Sequence, residues 1–305
     1  MTYAITGATS MIGIATIKEC IKQNINVLAF SRASSTKIDR IPKSNLVKVI
    51  ECDLAQMSDY EPNGLTCDVF IHLGWAFTDK VGRNDVSKQL ENVQFTIEAI
   101  KLAKRMDCKK FIGAGSQAEY GTPNTVLKAD TPCNPLVPYG IAKYAAGKFS
   151  FIECVNQNME CVWVRILSVY GTNDLPGTLI SQLIKNAKTN TPLDMSGCEQ
   201  TWDYLFEDDA GRAFVAIAQK GMNGKVYNLG SGVSKKLKNF VTDLIDVINP
   251  DYKTNFGVYA YSDKQPFILT ADISDLTRDT GWKPTVTFID GIRKICENTS
   301  WGGVQ

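Results

Sequence analysis

A tyrosine and a lysine stand four residues apart in the segment Tyr139-Gly140-Ile141-Ala142-Lys143. On a helix, this spacing places both side chains on the same face. A phenol with a pKa of about 10 is a poor acid or base at neutral pH, but a nearby ammonium group favours the phenolate. The pair is therefore suited to proton exchange with a substrate oxygen.

Ser116 is a third candidate for chemistry, because it follows a short apolar run from Lys110 to Ile112 that predicts a strand. Open α/β sheets bind their ligands at the carboxyl ends of parallel strands. We therefore expect the hydroxyl of Ser116, which we place in a glycine-rich turn, to orient a substrate carbonyl or alcohol.

The start of the chain has the pattern of a dinucleotide-binding turn. The strand predicted over Tyr3 to Ile5 leads into Thr6-Gly7-Ala8-Thr9-Ser10-Met11-Ile12-Gly13, which opens a helix. Gly7 permits a tight turn, Gly13 permits close packing of helix on strand, and the helix N-terminus offers free N–H groups to a pyrophosphate. We expect the cofactor also to contact the residues between them: Thr9, Ser10, Met11 and Ile12.

The second predicted strand, Val27 to Phe30, ends in Ser31 and Arg32, without the acid that holds a ribose 2′-hydroxyl in NAD-preferring sites. A guanidinium can instead pair with a 2′-phosphate. The sequence therefore favours NADP(H), with NAD(H) as the alternative. Asp53 and Leu54 follow the third predicted strand, Val47 to Ile50. There the Asp53 carboxylate can accept a hydrogen bond from the adenine amino group.

Short apolar runs alternate with helical periods through the first half of the chain, which predicts a doubly wound parallel α/β sheet with helices on both faces. After Gly171 the pattern becomes less regular. We expect a dinucleotide-binding Rossmann domain over 1–171 and about 202–231. An interwoven, smaller substrate-binding domain is expected over about 172–201 and 232–305.

The composition argues against several classes of partner. The 33 basic and 32 acidic residues leave a formal net charge of +1, so nothing attracts the whole chain to nucleic acid or to a membrane surface. There is no run of 18 apolar residues and no signal segment, and we expect a cytoplasmic protein that acts on small molecules. The nine cysteines form no Cys-x-x-Cys pair and the chain has one histidine, so we expect reduced thiols and no metal site.

With these segments in place, the chain resembles the extended short-chain dehydrogenases of the NAD(P)-dependent epimerase/dehydratase family, which act mostly on nucleotide sugars. The resemblance covers nearly the whole chain. Beyond the opening turn it rests on these segments: Ile71 to Trp75, Ser116 to Gly121, Tyr139 to Lys143, Arg165 to Gly171, Gln200 to Tyr204, Asp208-Asp209, Val226 to Gly232, Ala271 to Ile273 and Gly281 to Pro284.

The resemblance implies a role for each candidate. Tyr139 exchanges the proton, Lys143 lowers its pKa and binds the ribose, and Ser116 hydrogen-bonds the reacting oxygen, while the nicotinamide exchanges hydride. Further cofactor contacts are implied at Leu73, Gly74, Trp75 and Ile166. Substrate contacts are implied at Trp75, Ser116, Gln117, Tyr139, Ser168 and Trp202. A homodimer built from the helices near Lys88 to Met106 and Tyr139 to Asn156 is also implied.

The sequence departs from the family pattern at several positions. Ser10 replaces the middle glycine, Ser168 replaces a common asparagine, and Trp202 stands where arginine is frequent. Gln117 and Ala118 occupy the positions where dehydratases carry an acidic pair, which argues against elimination of water. Whether Glu119 reaches the same space is not fixed by the sequence.

The leading hypothesis is an NADPH-dependent reductase of a nucleotide-linked 4-keto-6-deoxy sugar, serving surface polysaccharide synthesis. The runner-up is a nucleotide-sugar 4-epimerase with bound NAD. A dinucleotide-sensing regulator is disfavoured because Tyr139 and Lys143 are both present. A reductase of a free hydrophobic ketone stays open if Trp75, Trp163 and Trp202 line an apolar pocket rather than pack in the core. We expect His72 to be structural.

Overall fold

The computed structural model describes residues 1–261 and 265–297. The strands in this part of the chain are β1 (Thr2–Thr6), β2 (Asn26–Ser31), β3 (Val47–Glu51), β4 (Val69–His72), β5 (Lys110–Ser116), β6 (Glu160–Ile166), β7 (Ser168–Tyr170), β8 (Thr201–Phe206), β9 (Val226–Leu229), β10 (Ser234–Lys236) and β11 (Ile268–Leu269). The α-helices are α1 (Met11–Lys22), α2 (Val86–Arg105), α3 (Pro138–Asn156), α4 (Leu179–Thr189), α5 (Glu207–Lys220), α6 (Leu237–Ile248), α7 (Ser274–Thr280) and α8 (Phe288–Glu297).

Seven strands form one sheet in the order β3-β2-β1-β4-β5-β6-β9. Every neighbouring pair in this sheet is parallel. The order reverses at β1, between β2 and β4, and such a switch point opens a crevice at the carboxyl ends of the strands. The predicted fold class, a doubly wound parallel sheet of the Rossmann type, is confirmed.

Two apolar cores cover the two faces of this sheet. Successive residues of a strand point to opposite faces, so Ile5 lies in one core and Ala4 in the other. The helices α1 and α5 pack against each other on one side of the sheet, and α2 and α3 pack against each other on the other. Both faces are therefore buried, which explains the nearly continuous apolar runs of the central strands.

A smaller sheet begins two residues after β6 ends. Its central strand, β8, pairs with β7, β10 and β11, and the helices α4, α6 and α8 bury a third apolar core against it. The chain returns to the main sheet at β9 before it forms β10, so the two sheets are interwoven. Because β7 and β8 belong to the smaller sheet, the predicted boundaries at 171 and 202 do not coincide with the division between the sheets, and the domain division stays a prediction.

The strand β5 is longer than the apolar run that predicted it. It continues through Ser116, which pairs with Ile166, so the expected glycine-rich turn is the end of a strand. Its glycines make room for Trp163 on β6: a Cβ added at Gly113 would lie 2.2 Å from the Trp163 ring, and one at Gly115 would lie 2.3 Å from its indole nitrogen. The indole thus fills the space beneath the strand that carries Ser116.

None of the helices in residues 1–261 and 265–297 has both the length and the apolar character needed to cross a lipid bilayer.

Candidate active site

A cleft of about 740 Å³ runs along the carboxyl ends of β1, β2, β4, β5 and β6. This volume is typical of small-molecule and cofactor sites. Its lining contains Ser116, Tyr139 and Lys143, the three residues that the sequence predicts to be catalytic. It also contains most of the other predicted contacts: Gly7, Thr9, Ser10, Met11, Ile12, Ser31, Arg32, Asp53, Leu54, Leu73, Gly74, Trp75, Gln117, Ile166 and Ser168.

Two predicted site residues, Gly13 and Trp202, do not line the cleft. Gly13 lies behind the opening turn, where an added Cβ would be 2.3 Å from the carbonyl oxygen of Gly7. Trp202 lies behind Ser168, and its indole N–H donates to the Ser168 hydroxyl over 2.8 Å. A direct contact between Trp202 and a substrate stays a prediction.

The opening turn is shaped for a close approach of backbone to ligand. Gly7 has a φ of +65°, and a Cβ there would lie 2.8 Å from the backbone nitrogen of Gly74. Ser10, in the place of the family's middle glycine, is the N-cap of α1, and its hydroxyl accepts a hydrogen bond from Gly13 N over 3.1 Å. The serine therefore satisfies one of the free N–H groups of the helix and fixes where the helix begins.

The end of the cleft beyond β2 is rich in cations. Arg32, Lys37 and Arg40 all line it, and Asp53 is the only carboxylate nearby among the described residues of the lining. Asp53 caps a short 3-10 turn by accepting a hydrogen bond from Ala55 N over 3.1 Å. Sequence reasoning identified Arg32 and missed Lys37 and Arg40, although they follow it in the same loop.

Lys143 is buried at the catalytic end. Its Nζ donates to the carbonyl oxygen of Ala114 over 2.6 Å and lies 3.7 Å from the centre of the Trp75 ring. Burial lowers the pKa of Lys143 to about 7, against the opposing effect of the Glu119 carboxylate. The amino group of Lys143 therefore exchanges between its neutral and charged forms near neutral pH.

Tyr139 lies one helical turn before Lys143 and meets Trp75 edge to face, with ring centroids 6.1 Å apart. Burial raises its pKa, and the Arg83 guanidinium and the Ser116 hydroxyl oppose that rise. Lys143 Nζ is 6.0 Å from the centre of the Tyr139 ring. Among the described residues, the nearest cation to the tyrosine ring is Arg83, which sequence reasoning missed. The lowering of the Tyr139 pKa by Lys143 stays a prediction.

The loop between β4 and α2 supplies both Trp75 and Arg83, and two buried amides of α2 hold it. Gln89 accepts the indole N–H of Trp75 over 3.0 Å and donates to the carbonyl oxygens of Phe77 and Gly82. Asn92 exchanges two hydrogen bonds with the backbone of Ala76. Because these buried side chains satisfy four backbone groups of the loop, they fix its course.

Glu119 points away from the cleft into the protein. Its carboxylate accepts hydrogen bonds from Ser116 N over 2.8 Å and from the Trp163 indole over 3.0 Å, and forms an ion pair with Arg165 over 2.8 Å. It does not line the cleft, so it does not replace the acidic pair of the dehydratases. Trp163 is 1% exposed and packs in the core, which leaves Trp75 as the cleft-lining tryptophan within the described residues.

His72 is buried at the end of β4 and bonds to two threonines. Its Nδ1 is 2.9 Å from Thr6 Oγ1, and its Nε2 is 3.5 Å from Thr96 Oγ1. Burial lowers its pKa to about 3, so the ring is neutral at physiological pH. This environment gives His72 a role in packing.

The end of the cleft nearest the smaller sheet is lined by Ser168, Asn173, Asp174 and Leu175. Burial raises the pKa of Asp174, whose carboxylate accepts hydrogen bonds from Thr178 Oγ1 and Leu175 N. Over its whole length, the described part of the cleft lining contains five lysine or arginine residues and two carboxylates, Asp53 and Asp174. This excess of cations suits a ligand with several phosphates.

Comparison with known proteins identifies relatives of the same fold. A model of the NAD dependent epimerase/dehydratase family matches residues 3–230. The chain is 25% identical over 307 residues to the dTDP-4-dehydro-6-deoxyglucose reductase of Escherichia coli, and the match covers 96% of both chains. It is also 25% identical over 309 residues to a putative UDP-glucose 4-epimerase of Methanocaldococcus jannaschii, covering 95% of this chain and 96% of the relative.

Among solved structures, the UDP-glucuronic acid 4-epimerase of Bacillus cereus in complex with NAD superposes with a TM-score of 0.82. The two chains are 23% identical, and the match covers 96% of this chain and 94% of the other. The likeness extends over both sheets, so the whole architecture is shared.

The buried ion pair makes Glu119→Gln a sharp test of this site. The substitution leaves the Arg165 charge without its partner in the core, and we expect the free energy of unfolding to fall by about 3 kcal/mol or more. Glu160→Gln is the matched control, because Glu160 pairs with Lys110 over a similar 3.0 Å at the surface. We expect this control to cost less than about 1 kcal/mol. The free energies of unfolding are measured by urea denaturation. Equal losses in the two variants would contradict the structural role of Glu119.

Proposed function

Because the chain belongs to the NAD dependent epimerase/dehydratase family, we propose that it is an NADPH-dependent reductase of a nucleotide-linked 4-keto-6-deoxy sugar. Membership confirms the resemblance inferred from the sequence and makes the protein a nucleotide-sugar modifying enzyme that depends on NAD(P). The choice of reductase, substrate and cofactor is our proposal.

The observation that carries this proposal is the cationic end of the cleft. Arg32, Lys37 and Arg40 line the position beyond β2 where the cofactor's adenosine ribose belongs, and no carboxylate stands at the end of β2. A ribose 2′-phosphate fits three cations better than a hydroxyl does, because guanidinium and ammonium groups offer charge-assisted hydrogen bonds to a dianion. A reductase consumes its cofactor and has to exchange it, whereas an epimerase regenerates it within each cycle.

The other residues of the cleft fit the same cofactor. The Gly7 turn and the N-terminus of α1 suit its pyrophosphate, and Lys143 lies at the opposite end, where a ribose hydroxyl can take the place of its carbonyl partner. Bound NADPH supplies the hydride. Ser116 and Tyr139 orient the carbonyl oxygen of the sugar, and Tyr139 gives that oxygen a proton.

Two further observations favour reduction over dehydration. Glu119 is held by Arg165 and does not line the cleft. Gln117, two residues earlier, lines the cleft and is neutral. Removal of a hydroxyl as water needs an acid beside the leaving group. The likeness to the Escherichia coli reductase over 96% of both chains supports the 4-keto-6-deoxy substrate class.

The second candidate is a nucleotide-sugar 4-epimerase, favoured by the likeness to the relative from Methanocaldococcus jannaschii. It would use the same Ser116, Tyr139 and Lys143. The two candidates differ in whether reduced cofactor is consumed.

The test is a cofactor-consumption assay. Purified protein is mixed with NADPH or NADH and a panel of dTDP-, CDP-, GDP- and UDP-linked 4-keto-6-deoxy hexoses, and loss of the reduced nicotinamide absorbance is followed. We expect NADPH to be consumed with one of these sugars, and Tyr139→Phe to lower the rate at least about 100-fold because the proton donor is lost. Interconversion of simple nucleotide hexoses with no net consumption would replace the reductase by the epimerase.

The cofactor preference has its own test in the loop after β2. Arg32→Gln removes one phosphate-binding cation, so we expect kcat/KM for NADPH to fall about 10-fold or more while that for NADH changes little. Lys43→Gln is the matched control, because Lys43 is an exposed cation of the same loop outside the cleft lining. An equal fall in kcat/KM with both cofactors would show that Arg32 does not bind the 2′-phosphate.

We also propose that the protein is a homodimer joined through α2 and α3. Each helix exposes an apolar stripe at helical spacing: Val86 and Leu90 on α2, and Ile141, Phe149 and Ile152 on α3. Ile152 is 59% exposed and Leu90 is 61% exposed. Adjacent apolar stripes on two packed helices form a self-complementary surface for a two-fold interface.

Ile152→Glu tests this interface, because the substitution would bury a carboxylate of each protomer in it. We expect sedimentation velocity to show a dimer for the parent chain and monomer for the variant. Val233→Glu is the control, since Val233 is 69% exposed and lies outside both helices. A parent chain that sediments as a monomer at micromolar concentration would rule the dimer out.

A further inference from the structure

Among the described residues, Arg83 is the cation closest to the ring of the candidate proton donor. Its guanidinium carbon lies 4.0 Å from the centre of the Tyr139 ring, and both side chains line the cleft. We propose that Arg83 is a positioning residue for proton transfer, which holds the Tyr139 ring in place and stabilises its phenolate form. This inference rests on the proposed role of Tyr139 as the group that exchanges a proton.

The position of Arg83 is built into the loop between β4 and α2. Its backbone N–H donates to the carbonyl oxygen of Asp79 over 3.0 Å. The neighbouring Gly82 is tied to Asp79 Oδ1 through its N–H and to Gln89 Nε2 through its carbonyl oxygen. A Cβ at Gly82 would lie 2.8 Å from Phe77, so the loop folds tightly at this point. The backbone that carries the guanidinium is therefore fixed from both sides.

Among the described residues, the guanidinium has no competing ionic or hydrogen-bonding partner. Within residues 1–261 and 265–297, no carboxylate forms an ion pair with Arg83 and its side chain donates no hydrogen bond. A cation stacked on an aromatic face is attracted by the ring quadrupole. When the phenol loses its proton, the full charge of the phenolate strengthens this attraction. Arg83 therefore favours the deprotonated form of Tyr139.

Two charged groups from the elements packed around Tyr139 shift its pKa, and a third charged group lies on its own helix. Glu119, behind Ser116, raises the pKa of the tyrosine, and Arg83 from the loop lowers it against the larger effect of burial. Lys143, on the same helix, has a pKa lowered to about 7 by its own burial. Because a guanidinium is not deprotonated in proteins, Arg83 is the cation of this group that persists above neutral pH.

The direction of the pH effect follows from these charges. Removing Arg83 raises the pKa of Tyr139. Reduction needs the protonated phenol, so its rate falls as the pH rises through this pKa, and that fall moves to higher pH in the variant. Oxidation in the reverse direction needs the phenolate, so its rate rises with pH. In the variant, this rise in the oxidation rate also moves to higher pH.

The test measures the phenol directly and without substrate. The tyrosines are replaced by 3-fluorotyrosine, whose phenol is more acidic than that of tyrosine, and Tyr139→Phe identifies the fluorine resonance of residue 139. We compare the parent chain with Arg83→Gln, Arg83→Lys and Lys80→Gln. Lys80 is the matched control, because it is an exposed cation of the same loop outside the cleft lining.

We expect Arg83→Gln to raise the pKa of residue 139 by about 0.5 to 1 unit, Arg83→Lys to restore part of that shift, and Lys80→Gln to leave the pKa unchanged. An equal pKa in the parent chain and Arg83→Gln, with circular dichroism showing an intact fold, would overturn the proposal. This outcome is independent of the substrate, so it is distinguishable from failure of the reductase assay.

In the reductase assay, the matching expectation is a shift of the basic limb of the pH profile to higher pH in Arg83→Gln and a smaller shift in Arg83→Lys. A loss of rate that is uniform across the pH range, and that lysine does not recover, would assign Arg83 to substrate binding instead and would also overturn the proposal.

Discussion

The site depends on one buried carboxylate, that of Glu119. One of its oxygens accepts the backbone N–H of Ser116 and the indole N–H of Trp163, and the other pairs with Arg165. These contacts join the end of β5 to the neighbouring strand β6. A buried charge is tolerated only when it is paired and hydrogen-bonded, so each partner holds the others in place. Ser116 is thereby directed into the cleft while Glu119 is directed away from it.

The same network continues on the side away from the cleft. Arg165 stacks on the ring of Tyr120 at 4.5 Å and donates to the carbonyl oxygen of Ala129. The Tyr120 hydroxyl donates to Asn228 on β9, and Asn228 donates to the carbonyl oxygen of Leu127. The carboxyl ends of three parallel strands are thus tied to the segment that follows β5. A rigid edge of this kind positions catalytic groups more precisely than a free loop does.

The electrostatics of the cleft follow from which charges are paired beneath it. The Glu119 carboxylate is neutralised by Arg165 behind the strands, whereas several of the cations in the cleft lining face the space where a ligand binds. Burial lowers the pKa of Lys143 and raises that of Tyr139, so two groups of nearly equal acidity in water move apart and the neutral form of each is favoured. Environments that push the pKa values of neighbouring titratable groups apart give those groups different roles in proton exchange.

The sequence by itself determined the parts that depend on local spacing. Strand and helix periods predicted the parallel sheet, the Gly7 turn predicted the cofactor end, and the spacing of Tyr139 and Lys143 predicted a shared helix face. The tertiary structure alone decided which distant residues meet. Arg83 reaches Tyr139 from another loop, Glu119 turns inward to Arg165, and Trp163 fills the core beneath two glycines while Trp202 stands behind Ser168. The physical reason is that periodicity records only which face of an element is apolar, whereas these contacts are set by how helices and strands pack and by the pairing that each buried polar group requires.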